Sequence, residues 1–241
     1  MKDTAVHKGP LGNTKFLPKG LEILHEDNDI LVINKPSGLL TMGTDTEKIR
    51  TAFYALTNYV RKGVAKSTKR IFIVHRLDKE TSGILIFAKN EKAKLTLQSR
   101  WQETEKKYLA IVHGQCEKSQ DTITTYLVEN KALNVYSTLD SKKGRLAQTA
   151  YIVLKEMQKF SLLELALLTG RKHQIRVHLA GIGHPVVGDK KYGHENDAWK
   201  YLALHAFSIT FNHPFNGREL MFRSDPPGHF RSLLGGFEWK E

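Results

Sequence analysis

The chain has 241 residues, 40% of them hydrophobic, enough to bury a proper core as one domain or a modest pair. Its 37 Lys and Arg against 25 Asp and Glu leave a formal charge of +12 and a pI near 9.6, which points to a polyanionic partner, nucleic acid first. The lone cysteine, Cys116, excludes an intrachain disulfide framework and a zinc site of several thiolates, and neither a secretory signal core nor a long apolar run is present, so a soluble, cytoplasmic protein without a membrane partner is expected.

In chain order, residues 1–20 hold Gly9, Pro10, Gly12, Pro18 and Gly20 with four lysines and read as a basic arm over the surface. Strands are predicted over Leu21–His25 and Ile30–Asn34 around an acidic turn, after which Lys35-Pro36-Ser37-Gly38 breaks the chain. From Lys48 to Arg70 there are seven basic residues and no acidic one. Within that span Ile49, Ala52, Phe53, Leu56, Tyr59 and Val60 follow the spacing of an amphipathic helix, with a cationic end suited to phosphate contact or simply to solvent. Buried strands at Ile71–Val74 and Ile84–Ala88 flank the turn that carries Asp78, and Glu91–Trp101 should be a helix. Further strands are predicted at Tyr108–His113, Ile123–Val128, Gln148–Lys155, Phe160–Leu168, Ala206–Phe211 and Leu220–Phe222. A helix over Arg171–Ala180 should follow Thr169-Gly170, with Ile175, Leu179 and Ile182 on its apolar stripe.

The chain has no phosphate-loop, dinucleotide, nucleophile-elbow or HExxH signature, which removes most nucleotide hydrolysis, redox, hydrolase and zinc routes. Of the eleven histidines, His173 and His178 are five apart and point to different helical faces, so no metal site is expected. Asp78 stands out in VHRLDKETSG, a carboxylate between Arg76 and Lys79 that should be ionised at neutral pH and suited to attack or to take a proton. On pattern alone it is either a catalytic carboxylate or a turn-capping one. Asp189, after Gly188 and before two lysines, reads as a turn residue. In RKHQIR, Arg171 and Arg176 bracket Gln174 and offer guanidinium forks to phosphate or carboxylate. Tyr108 follows two lysines, an aromatic plane beside phosphate-seeking charge.

Taken together, NKPSGLL at Asn34–Leu40, HRLDKETSG at His75–Gly83, KKYLAIVHG at Lys106–Gly114 and TGRKHQIRVHLAGIGHPVVGDKKYG at Thr169–Gly193 resemble the RluA-type family of RNA pseudouridine synthases, in order and from about Leu21 to Phe222. The resemblance implies an α/β (α+β) fold, the pseudouridine synthase fold: a long mixed, mostly antiparallel sheet flanked by helices with a central RNA-binding cleft, here one catalytic domain over 21–241. Some twenty residues precede the first predicted strand, so the chain resembles the compact members that lack an S4-type RNA-binding domain. Carried over by position, the catalytic aspartate is Asp78, the active-site tyrosine Tyr108 and the basic partner of the aspartate Arg176. Arg76 matches the arginine used on the RNA around the target, and Lys35, Arg171, His173 and Gln174 join it as expected RNA contacts.

The implied reaction breaks the C1′–N1 bond of a uridine, turns the uracil and joins C5 to C1′, with no cofactor or metal. The target nucleotide must leave its stack, with Arg76 filling the gap and Tyr108 packing on the base. Ribosomal or transfer RNA is the expected partner, not DNA, and the protein is expected to be a monomer. The rival reading is a non-catalytic RNA-binding or ribosome-assembly factor on the same fold, with a metal nuclease a distant third.

Overall fold

The computed structural model describes residues 17–235 except 63 and 65, so most of the expected N-terminal arm lies outside the described residues. The described residues pack as two compact units, one formed by the part up to Glu105 with Ala206–Asp225, the other by Lys106–His205 with the part from Pro226 on. Eleven strands and four helices are found among the described residues.

In the first unit, β1 (Glu22–Glu26) and β2 (Ile30–Lys35) form an antiparallel hairpin, and β2 pairs antiparallel with β4 (Ser82–Ala88) from Ile30↔Ala88 to Lys35↔Gly83. Short β3 (Phe72–Ile73) adds to β4, and β10 (Leu204–Asn212) pairs with β11 (Glu219–Arg223). All seven β4 residues are buried, which explains why Gly83–Ala88 reads as a continuous apolar run rather than an alternating one. Helix α2 (Glu91–Ser99) contributes Ala93 and Leu97 to a core with Ile30, Val32, Ile84, Ile86, Phe211 and Phe222. Its Asn90 cap accepts the Ala93 N–H.

Helix α1 (Ala52–Arg61) starts later than its apolar spacing suggests. A Glu47 carboxylate oxygen accepts the N–H groups of both Ile49 and Arg50, holding a turn there, and the Thr51 hydroxyl then caps Tyr54. Ile49 is consequently left exposed.

The second unit is an antiparallel sheet in the order β5 (Glu105–His113), β9 (Phe160–Leu167), β8 (Arg145–Glu156), β6 (Gln120–Glu129), β7 (Val135–Thr138). Strand β7 went unseen in the sequence because its four residues lie between turn formers and only Val135 is buried. Helix α4 (Gly228–Leu233), also unforeseen, buries Phe230 and Leu233. Helix α3 (Gln174–Gly181) begins three residues later than predicted, since His173 is left-handed at φ 54 and Arg171 lies outside the helix.

Helix α3 meets the sheet through two kinds of contact. Val177 packs with Leu127, Val135 and Ala147. Beside that apolar patch, His178 is 1% exposed, its Nε2 and Nδ1 at 3.0 and 2.9 Å from the hydroxyls of Thr125 and Thr149. Gln174 donates to the same Thr149 hydroxyl and to the Gln148 carbonyl, while its own carbonyl accepts from the Thr169 hydroxyl and the Arg171 N–H. Such polar partners fix the helix in one register, which an apolar contact alone does less strictly. Among the described residues, no helix is long and apolar enough to cross a membrane.

Two tests follow from this packing. A Cβ at Gly83, where φ is +112°, would lie 2.3 Å from the Ala206 carbonyl oxygen, so Gly83→Ala should lower stability by about 2–4 kcal/mol in urea unfolding. Burial holds the His178 pKa down at about 4, so unfolded chains bind a proton below about 6.5 that the folded protein refuses until about 4. Stability owed to His178 is therefore present above pH 6.5 and lost as pH falls to 4, by about 2 kcal/mol. The stability gap between wild type and His178→Gln, measured in urea at pH 7 and pH 4.5, should shrink accordingly.

Candidate active site

The loop between β3 and β4 carries Arg76 and Asp78, and its backbone is clamped by the segment that follows β2. Lys35 is completely buried, and its ammonium donates to the carbonyls of Pro36 (3.0 Å), Leu39 (2.8 Å) and Lys79 (3.1 Å). The Lys79 carbonyl also accepts the Gly38 N–H at 2.9 Å, and the Ser37 hydroxyl donates to the Glu80 carbonyl at 2.7 Å. On the other side of Asp78, the buried Thr41 hydroxyl donates to the Leu77 carbonyl and accepts the Leu77 N–H. Asp78 itself closes the turn by accepting the Thr81 N–H at its carbonyl. The peptide groups on both sides of Asp78 are thus fixed from outside the loop, and its half-buried carboxylate is presented by a rigid support.

Burial pushes the Lys35 pKa down to about 7, with the Glu80 and Asp78 carboxylates pulling it back up. The expectation that Lys35 contacts RNA is corrected: a side chain with no exposed surface and three carbonyl acceptors has no donor to offer a phosphate. Arg76 is exposed, with its guanidinium 3.7 Å from the Met42 sulfur. His75 accepts the Ile86 N–H and lies 4.5 Å from the Trp101 ring, which ties the start of the loop to the core.

In the second unit, Tyr108 on β5 stands opposite Leu165, which also pairs with Tyr151 on β8. Side-chain alternation then puts Tyr108 on the same sheet face as Thr149 and Ala147, the face that α3 covers. Arg176 of α3 is 8% exposed and forks onto Asp189, Nε to one carboxylate oxygen at 2.8 Å and Nη2 to the other at 2.7 Å. Asp189 also accepts the Lys191 and Tyr192 N–H groups. Burial would raise the Asp189 pKa, but Arg176 and these two N–H groups outweigh it and hold the carboxyl below its usual value. Asp189, read from the sequence as a turn residue, is that and also the carboxylate that orients the Arg176 guanidinium. Its place after Gly188 and before two lysines was the sequence signal, and that spoke for the turn.

The Arg176 guanidinium carbon is 5.1 Å from the centre of the Tyr192 ring, and His173 Nδ1 is 2.7 Å from the Tyr192 hydroxyl. Arg171 is exposed, with Nε on the Leu146 carbonyl. Gln174, expected to touch RNA, is corrected as Lys35 is: it is 2% exposed and spends both ends of its amide on the α3 support. The expected site residues therefore divide between the units, Arg76 and Asp78 sharing one loop, Tyr108 lying on the sheet face that α3 covers, and Arg171, His173 and Arg176 standing in or just before α3.

Among the described residues, one group has metal-ligand chemistry: Asp27, Asp29 and His213. A carboxylate oxygen of Asp27 lies 2.8 and 3.0 Å from Nε2 of His25 and His213. His213 Nδ1, however, accepts the N–H groups of Phe215 and Asn216, so its proton sits on Nε2, which donates to Asp27. That arrangement is a hydrogen-bonded pin between two hairpin turns and does not suit a cation.

A family model described as RNA pseudouridylate synthase matches residues 29–181. An RNA pseudouridine synthase of Aquifex aeolicus is 36% identical over 239 residues, an alignment covering 92% of this chain and 73% of that one. Ribosomal large subunit pseudouridine synthase C of Rickettsia bellii is 35% identical over 217 residues, covering 88% of this chain and 70% of its own. Among solved structures, human RNA Pseudouridylate Synthase Domain Containing 4 superposes with a TM-score of 0.74 at 27% identity, over 89% of this chain and 92% of that one. With a family model over more than half its length and relatives more than a third identical along most of it, the chain belongs to the RNA pseudouridylate synthases, isomerases that convert uridine in RNA to pseudouridine.

Proposed function

We propose that this enzyme isomerises uridine in ribosomal RNA, with Asp78 as the carboxylate that does the chemistry. The observation that carries the catalytic part is the clamp on the Asp78 loop: Leu77, Lys79 and Glu80 are each held by a donor from the segment after β2. Rigidity of this kind is what a group needs to keep one geometry while a substrate rearranges against it. The ribosomal part is supported by the name of the Rickettsia relative.

In this reading the Asp78 carboxylate either bonds to the nucleoside or removes the 2′ proton of the sugar. The C1′–N1 bond breaks, the uracil turns, C5 bonds to C1′, and the C5 proton departs to solvent while N1 gains one. Tyr108 packs on the extruded base, and Arg76 fills the space it leaves in the RNA stack. Arg176 is the basic residue of the reaction, with Asp189 fixing the plane of its guanidinium. Arg171 and His173 remain as RNA contacts, and the protein works as a cytoplasmic monomer.

Tritium release from ribosomal and transfer RNA transcripts labelled at uridine C5 tests this. Release from ribosomal RNA alone is expected, with turnover abolished and RNA binding retained in Asp78→Asn. Release from transfer RNA alone would overturn the substrate, and a fully active Asp78→Asn would overturn the carboxylate. Lys35→Met takes a donor from the Pro36, Leu39 and Lys79 carbonyls, of which Lys79 keeps the Gly38 N–H. It should cost about 3–5 kcal/mol in urea unfolding, and should reduce turnover well beyond any loss of RNA affinity.

A further inference from the structure

The seven cations between Lys48 and Arg70 are little used by the fold. Helix α1 buries Ala52, Ala55, Leu56 and Val60, which turns Tyr54, Asn58 and Arg61 outward at i, i+4 and i+7 on one stripe. Tyr54 is 43% exposed, large for a tyrosine that could have packed. Past the left-handed Lys62 cap, the chain winds back on itself. Val64 N–H donates to the Arg61 carbonyl, Ser67 N–H to the Val64 carbonyl, and Lys69 N–H to the Ser67 hydroxyl. Arg61 Nε closes the turn on the Lys69 carbonyl, and the Arg70 guanidinium lies 4.7 Å from the Phe72 ring centre.

This turn is built, and it holds Lys62, Lys66, Lys69 and Arg70 exposed at the foot of the α1 stripe. Carboxylates do not compensate them. Among the described residues only Arg50 of the seven is ion-paired, with Glu47 at 4.0 Å. Glu26, which reaches α1 through the Tyr59 hydroxyl, is already paired with Lys89. Concentrated like charges repel one another, and a polyanion relieves that repulsion with a gain from released counterions.

We propose that the outward stripe of α1 and the turn from Arg61 to Arg70 form a contact surface for RNA backbone phosphates, outside the Asp78 loop, that governs affinity for the substrate and not the chemical step. This rests on RNA being the substrate. The cations take phosphates, and Tyr54 offers a stacking plane to a neighbouring unpaired base. An acidic protein segment would match the charge but has no use for the aromatic on the same stripe.

The test compares three full-length proteins: wild type, Lys62→Gln/Lys66→Gln/Lys69→Gln, and Lys92→Gln/Lys94→Gln/Arg100→Gln, which removes the same charge from and beside α2. Binding of a fluorescein-labelled ribosomal RNA transcript is followed by anisotropy across a salt series, with thermal melting to verify folding. The first triple variant should bind about 10-fold or more weakly near physiological salt, and its log Kd against log salt slope should fall by about 2–3, with kcat at saturating RNA within about 2-fold of wild type. The α2 variant should change the slope far less. Equal losses in both triple variants, an unchanged slope in the first, or equal competition by poly-glutamate would overturn the proposal. Tritium release by wild type, run in parallel, bears on the proposed function alone, because the binding comparison does not need turnover.

Discussion

The Lys35 amine lies with no exposed surface because three carbonyls turn towards it, two from the residues just after β2 and one from Lys79, forty-four positions on. Moving an ammonium out of water costs several kcal/mol, and here hydrogen bonds to backbone offset it. Neither the 36–40 segment nor the 77–80 loop has a reason to adopt its shape without the other, and the ammonium joins them. The Ser37, Gly38 and Thr41 contacts are then short additions to a path already set. The position of the Asp78 side chain depends on that joint.

The α3 region solves a similar problem with different means. Arg176 is buried and must be paired, and Asp189 pairs it through both carboxylate oxygens while using its other lone pairs on two backbone N–H groups. The guanidinium is thereby held in plane and in position. Beneath it, Thr149 serves both Gln174 and His178, so one hydroxyl on the sheet fixes two turns of the helix. Both regions hold a charged group with polar contacts that tolerate little displacement. The cations of α1 and its following turn are the opposite case, exposed and largely without carboxylate partners.

Much of the fold was legible. Ten of the eleven strands and helices α1, α2 and α3 were placed by apolar runs or helical spacing, with ends off by at most three residues. The errors have local causes that spacing does not carry. Glu47 bonding two N–H groups delayed α1, a left-handed His173 delayed α3, and β7 has too few buried residues to show a period. The NKPSG, HRLDKETSG and HQIR segments also singled out Lys35, Asp78, Gln174 and Arg176.

The roles of several of those residues were not legible. Lys35 and Gln174 were expected as RNA contacts as part of the family resemblance. Both are buried supports, and Asp189 is the partner of an arginine thirteen residues earlier. By itself the sequence determined most of the secondary structure, the net charge, the family and the positions where chemistry-bearing residues stand, because periodicity, composition and motif spacing are local properties of the chain. Which polar side chains face outward and which are spent inside was decided by the tertiary structure alone. That choice depends on carbonyls and carboxylates brought from elsewhere in the chain, and no local pattern records where they arrive.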